Sequence, residues 1–364
     1  MQTKHEFPGG GTVEPTIKVG YGEKLHSATK VAALIDALLN EGISPAEALR
    51  GVHLRADELH LPTTRVSLNQ MIEACRNAMK LTRDPHLAFN VGSSIHLSTY
   101  GMYGYAMLCS TDFRRTMEFA VKYHQLATPL TNIVFEEKGS YATWTITLLP
   151  HQRIDAALYQ FIAELQIGIH ISLMRDVIGS SFAPCKIAVT SPASGTRLTP
   201  DLVGCPILVE QPANQIVLDS AWLDKVPKLG NRVTHAAVVE ICDRLLVELG
   251  RRSGIAGRVR EVLLEDIANR PDFEAVAKRL HIAERTLRRQ LRAQQTSFRE
   301  LVDELRMQLA IKFLRDTAMT GEDIALAIGF SDAANFRHAF RRWTRESPSE
   351  FKHLATDTKL PFDQ

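Results

Sequence analysis

The stretch Thr320-Gly321-Glu322-Asp323-Ile324-Ala325-Leu326-Ala327-Ile328-Gly329-Phe330-Ser331-Asp332 decides the fold. Thr320 and Asp323 have the spacing of a capping box, Ile324, Ala325 and Ile328 form a short apolar face, Gly329 and Phe330 make a turn, and Ser331 is placed to cap a second helix. In that second helix Phe336, Phe340 and Trp343 recur at i, i+4 and i+7, so they face a core. Their inward direction fixes what must be outside. Ala334, His338, Arg341 and Arg345 point away from the core, with Asn335 and Arg337 beside them.

A second unit of the same kind precedes this one. Asp272 is a candidate N-cap, Phe273, Val276, Ala277 and Leu280 make one face, His281 and Ile282 turn the chain, and Leu287 and Leu291 anchor a second helix. With Leu287 and Leu291 inward, Arg285, Arg289 and Arg292 lie outward, and Thr286 and Arg288 flank them. Arginines on such a face can reach phosphates and the O6/N7 edge of guanine. Between the units, Ser297 and Glu300 open a helix running through Thr317, with Phe298, Leu301, Val302, Leu305, Leu309 and Phe313 on one side. At about 1.5 Å per residue it spans on the order of 30 Å, close to the roughly 34 Å of one DNA turn.

The run Ile324 to Asp332, continued by Phe336, Phe340, Arg341, Arg342, Trp343, Ser347 and Pro348, resembles the signature of the AraC/XylS family of bacterial transcription regulators. The likeness extends through Arg285 to Leu291 and covers roughly residues 256 to 353. It implies an all-α DNA-binding domain with two helix-turn-helix units, no catalysis, double-stranded promoter DNA as partner, and RNA polymerase as a further one. The DNA contacts expected on these grounds are Arg285, Thr286, Arg288, Arg289, Arg292, Ser331, Asn335, Arg337, His338, Arg341, Arg342 and Arg345. The family commonly has Gly at the place of Arg345 and Ser at the place of Ala283. The first departure adds a possible phosphate contact and the second weakens a helix cap.

The remaining chain is different in kind. Helical periodicity at Val31, Leu34, Ile35, Leu38 and Leu39, and again at Leu68, Met71, Ile72, Cys75 and Met79, is followed by a helix around Phe113 to His124. An antiparallel hairpin is expected from Asn132 to Glu136 and Tyr141 to Leu148, then a helix from Ile154 to Ile178, then short strands at Lys186 to Val189, Ile207 to Glu210 and Gln215 to Leu218. Helices mixed with hairpins indicate an α+β domain. Residues 23–229 resemble, more loosely, the N-terminal domain of the ornithine-responsive and VirS-type branch of the same family, on the helical start, the Gly101/Gly104 segment and the Pro192 and Pro206 segments. That likeness implies an effector-sensing or dimerisation role and hence a homodimer.

The expected division is a flexible tail over 1–22, the α+β domain over 23–229, a connecting helix with a glycine- and arginine-bearing hinge over 230–255, the reader over 256–353, and a C-terminal tail over 354–364. Net charge over all 364 residues is +2, but residues 251–364 carry 21 basic and 17 acidic side chains against 22 and 24 in residues 1–250. The excess of positive charge therefore sits with the reader.

The five cysteines, Cys75, Cys109, Cys185, Cys205 and Cys242, have no metal-ligand spacing and read as small buried hydrophobes. This disfavours a DNA-repair methyl acceptor, which requires activated cysteines. No cofactor or metal is expected, and hydrolase, metalloprotease and nucleotide-binding motifs are missing from the sequence. No secretory or membrane-spanning segment is apparent, so a cytoplasmic location is expected. Candidate ligand contacts are Tyr100, Tyr103, Tyr105, His124, Trp144, His151, Phe161 and His170, whose apolar bodies and polar tips suit a small-molecule pocket. A constitutive DNA binder whose N-terminal domain serves only dimerisation is the competing account.

Overall fold

The computed structural model describes residues 21–149, 151, 153–252, 254–269, 272–294, 296–344 and 346–356. In chain order the elements are β1 (His26–Ser27), α1 (Thr29–Asn40), α2 (Pro45–Ala48), β2 (Arg65–Val66), α3 (Leu68–Leu81), α4 (Leu87–Ser93), α5 (Gly101–Leu108), α6 (Phe113–Tyr123), β3 (Thr131–Lys138), β4 (Tyr141–Leu148) and α7 (Ala156–Ile178). There follow β5 (Lys186–Ala188), α8 (Pro200–Val203), β6 (Ile207–Leu208), β7 (Asn214–Asp219), α9 (Arg232–Arg252), α10 (Gly254–Asp266), α11 (Phe273–Arg279), α12 (Glu284–Ala293), α13 (Phe298–Asp316), α14 (Gly321–Ala327), α15 (Ala333–Thr344) and α16 (Pro348–Thr356). Residues 1–20 of the expected tail and 357–364 of the C-terminal one lie outside the described residues, whereas Tyr21 is buried in the first core.

Two hydrophobic cores form. The first gathers Tyr21 through Cys242, the second Ala256 through Trp343. In the first, a sheet of order β3-β4-β7-β5-β6 packs against helices. Strands β3 and β4 are joined by the two-residue turn Gly139-Ser140, where Gly139 takes φ +60°, a conformation glycine adopts without a Cβ penalty. The expected hairpin is therefore present and longer than the alternation alone indicates. The later strands do not form a simple meander: β5 pairs antiparallel with β7 and parallel with β6.

Helix α7 is buried nearly all round, from Leu158 to Val177. It crosses α4 at two facing glycines. A Cβ on Gly92 would stand 2.2 Å from the Leu165 carbonyl oxygen, and one on Gly168 would stand 2.6 Å from that of Phe89. Only glycine lets these backbones touch.

Within the expected hinge, α9 ends at Arg252 and α10 begins at Gly254, with residue 253 outside the described residues. Gly254, at φ +60°, starts the new helix, and the Gln294 side chain accepts from the Ala256 N–H at 3.0 Å, satisfying a donor that a helix start leaves open. Helix α9 is docked along the first core: Val238 and Cys242 are buried, His235 Nδ1 meets the Ala106 carbonyl at 2.9 Å, and the Tyr123 hydroxyl donates to Asp243 at 2.7 Å.

Candidate nucleic-acid interface and buried polar cluster

The two reader units fold as their sequences dictate. Asp272 caps α11 through the Ala275 N–H at 2.7 Å, and Thr320 with Asp323 forms the capping box of α14. Ser297 and Glu300 do the same for α13. Ala283 precedes α12 with no side-chain cap bond, as its methyl requires. The cap of α15 is a correction: Asp332, not Ser331, accepts the Asn335 N–H, at 2.7 Å. A carboxylate is the stronger acceptor, and these bonds hold the Asp332 carboxyl below its ordinary pKa.

Each unit turns at a residue of positive φ, Gly329 at +80° and His281 at +55°. Arg306 of α13 pins the second turn by donating to the Gly329 carbonyl at 3.1 Å with its guanidinium over the Phe330 ring. Behind the turn, Phe330, Phe336, Phe340, Trp343 and Phe351 stack in successive tilted or edge contacts. This aromatic wall commits the opposite face of α15 to solvent.

That face carries Arg337, His338 and Arg341, all exposed, and the outer face of α12 carries Arg285, Arg289 and Arg292, also exposed, with Thr286 half-buried. Other expected contacts have intramolecular work. Arg288 lies over the Phe273 ring at 5.0 Å, and Arg342 pairs with Asp303 at 3.1 Å. The Asn335 amide bonds to Ser331 and Asp332, at 3.1 and 2.7 Å, within the α15 cap. Arg345 falls outside the described residues. Beside α15, an open groove of about 460 Å³ is lined by Arg299, Arg306, Ser331, Asn335, His338 and Arg342 among others.

The expected ligand contacts divide. Tyr100 and Tyr103 meet edge to face at 6.0 Å, and Trp144 and His170 at 5.5 Å. Phe161 is buried on α7, four residues before Leu165 on the same helix. His124 is buried with Nδ1 against the Val121 carbonyl at 2.7 Å, and burial lowers its pKa. His170 is pushed down to about 3 by burial, with the charges of Lys30 and His124 adding to the effect. Tyr105 stands apart, 44% exposed, and His151 stacks on Tyr21 at 4.5 Å.

Lys30 is the residue sequence reasoning missed. It sits four residues before Leu34 on α1, so a lysine in register with the apolar face was the available signal. Its side chain is buried, its Nζ donates to the Ala127 carbonyl at 2.7 Å, and burial lowers its pKa to about 7.

Among the described residues an ion pair links the two cores. Arg260 of α10 meets Glu23 at 2.8 Å, and Glu304 of α13 stands 3.9 Å from the same guanidinium. Arg260 and Glu23 side chains are 7% and 4% exposed, so water screens the pair little. Nothing in the sequence pairs residues so distant.

Among the described residues no helix is long and apolar enough to cross a membrane, and no group of His, Cys, Asp or Glu is placed to hold a metal.

Residues 42–226 match the family model described as the arabinose-binding domain of AraC transcription regulator, N-terminal, and residues 276–353 match a helix-turn-helix domain. The Ornithine utilization regulator of Pseudomonas aeruginosa is 29% identical over 324 residues, covering 88% of this chain and 94% of that protein. The regulator VqsM of Pseudomonas aeruginosa is 27% identical over 274 residues, covering 72% and 82%. The crystal structure of the transcriptional regulator CdpR from Pseudomonas aeruginosa aligns with a TM-score of 0.47 at 20% identity, covering 88% of this chain and 96% of that one.

Proposed function

Because the chain belongs to the AraC family of transcription regulators, with an arabinose-binding-type N-terminal domain and a helix-turn-helix reader, we propose that a small-molecule effector in the cytoplasm controls its hold on promoter DNA. The observation that carries this reading is the pair of exposed basic helices, α12 and α15, tied together by α13. A helix of this length, 19 residues, is about 28 Å long at 1.5 Å per residue. That length suits two recognition helices entering successive major grooves on one side of the duplex. Base contacts are assigned to Arg285, Arg289, His338 and Arg341, and phosphate contacts to Arg292 and Arg337. Arg288, Asn335 and Arg342 support the reader from within.

The sensor is residues 23–229 together with the docked part of α9, and the reader is residues 256–353. The effector class is a small polar metabolite. One relative is named for ornithine utilization and the matched model for arabinose, and both compounds belong to that class. Movement in the sensor reaches the reader through α9 and the Arg260–Glu23 pair, since these tie one core to the other. A homodimer formed by the sensor would add avidity, and RNA polymerase would be the target of an activating arrangement.

The test is the affinity of the full chain for a duplex selected from random sequence, measured against salt. Log affinity should fall linearly with log salt, because each neutralised phosphate releases counterions. R285A and H338A should relax sequence preference while R292A and R337A lower affinity equally on selected and scrambled duplexes. A flat salt dependence, or equal losses for all variants on both duplexes, would refute the assignment.

A further inference from the structure

We infer that Lys30, Tyr100, Trp144 and His170 form the polar head of an effector site that takes the carboxylate of a small organic acid. This rests on the effector-control reading and names the ligand's chemistry.

The argument starts from an imbalance. Lys30 is 8% exposed, and its ammonium has the Ala127 carbonyl at 2.7 Å as acceptor, with the Tyr100 ring centre 5.7 Å away. No acidic side chain among the described residues pairs with it. A buried cation without an anion costs several kcal/mol, a cost that burial relieves in part by favouring the neutral amine and that an anion arriving from outside would offset.

In the same core, buried polar atoms lack partners in a way few cores tolerate. The Tyr100 hydroxyl, Trp144 Nε1, His170 Nε2, His26 Nε2 and Gln166 Oε1 are sealed from solvent without a hydrogen bond. Lys30, His26, Trp144, Gln166 and His170 are each more than nine-tenths buried. They come from β1, α1, β4 and α7, and Tyr100 stands in the turn before α5. The Trp144 and His170 rings are 5.5 Å apart, and Gln166 lies one helical turn before His170. Lys30 lowers the pKa of both His26 and His170 by its charge, after the larger effect of burial, which places all three in one electrostatic neighbourhood.

The atom types select the ligand. Lys30 Nζ, the Tyr100 hydroxyl and Trp144 Nε1 are donors, and a carboxylate supplies acceptors with the opposite charge. Gln166 Oε1 is an acceptor, so the ligand also carries a hydroxyl or an amine near the carboxylate. A 2-hydroxy or 2-amino acid has both.

The experiment uses the full chain and thermal unfolding with lactate and alanine in the tens of millimolar, against lactamide, alaninamide and sodium chloride at matched ionic strength. Saturable upward shifts in Tm are expected from the acids and not from the amides or chloride, since a ligand stabilises the state it binds. K30M should unfold at a higher temperature than wild type without ligand and lose the response. Y100F, which removes one hydroxyl, should weaken binding about tenfold, and K30Q provides a second removal of charge should K30M misfold. Absence of any shift with the acids, an equal shift with the amides, or an unchanged response in K30M or K30Q would overturn the site. DNA affinity measured alongside separates the two claims. Acid binding that depends on Lys30 but leaves DNA affinity unchanged would retire effector control and keep the site, whereas a metabolite response that survives in K30M would retire the site and keep effector control.

Discussion

Removing Arg260 should uncouple the two cores at a cost that the structure allows to be worked out. Its guanidinium is 7% exposed and bonds Glu23 at 2.8 Å, with Glu304 at 3.9 Å. In R260A, Glu23 stays buried without this cation, and losing one partner of a buried pair typically costs about 3 to 5 kcal/mol. Glu304 escapes part of that cost because burial has already pushed its pKa up to about 7, with Arg260 opposing and Glu23 and Glu300 adding, so it takes up a proton readily. The expected loss is therefore nearer about 3 kcal/mol at pH 8 and smaller at pH 6. The companion R260M/E23Q, which removes both charges, should lose less than about 1 kcal/mol. The assay is chemical unfolding of the full chain followed by tryptophan fluorescence, since Trp144 and Trp222 report the first core and Trp343 the second. Wild type should unfold with the two signals together, and R260A should separate them. A loss below about 0.5 kcal/mol in R260A, with the signals still coincident, would refute the claim that this pair joins the domains.

Glu304 gives a pH prediction of its own. A folded-state pKa raised from 4.5 to about 7 means the native chain binds the proton more tightly, so its contribution to stability falls as pH rises through that window. E304Q should be more stable than wild type at pH 8, by at most about 3 kcal/mol, and similar at pH 5; equal stability at both values would contradict the burial argument. At the crossing of α4 and α7, G168A places a methyl against backbone, and a loss of at least about 3 kcal/mol is expected in Tm measurements; a loss within about 0.5 kcal/mol would mean the helices are further apart than described. In the reader, R288A should lower stability by about 0.5 to 1 kcal/mol through the lost stacking on Phe273, with base preference unaltered in a binding-site selection. A changed preference would return Arg288 to the DNA-reading face.

The reader was legible because its signals are local. Capping boxes, a turn glycine and an aromatic triplet at i, i+4 and i+7 each constrain a few neighbouring residues, and together they fix which side of α15 faces out. What remained hidden depends on distance in the chain. Arg288 and Arg342 look like free arginines on a helix wheel until Phe273 and Asp303 arrive from other helices. Asp332 displaced Ser331 as the cap because both residues can play the part and only backbone geometry decides. The parallel pairing of β5 with β6 needs a crossover that two short strands do not announce. In the sensor, aromatic and histidine residues were found by type, but Lys30 was passed over because a lysine normally marks a solvated face. Its ammonium meets the Ala127 carbonyl from the segment after α6 and the Tyr100 ring from the turn before α5, and no periodicity encodes that.

The most direct test of two recognition helices acting from one chain is a spacing experiment. A duplex selected by the full protein should contain two sub-sites about 10 to 10.5 base pairs apart, and inserting about five base pairs turns one of them to the far side of the helix. Affinity for the inserted duplex, measured by fluorescence anisotropy at fixed salt, should fall at least about tenfold, a loss of about 1.4 kcal/mol, because only one of α12 and α15 can then engage. Undiminished affinity would mean that a single unit reads the DNA and that α13 is not a spacer between grooves.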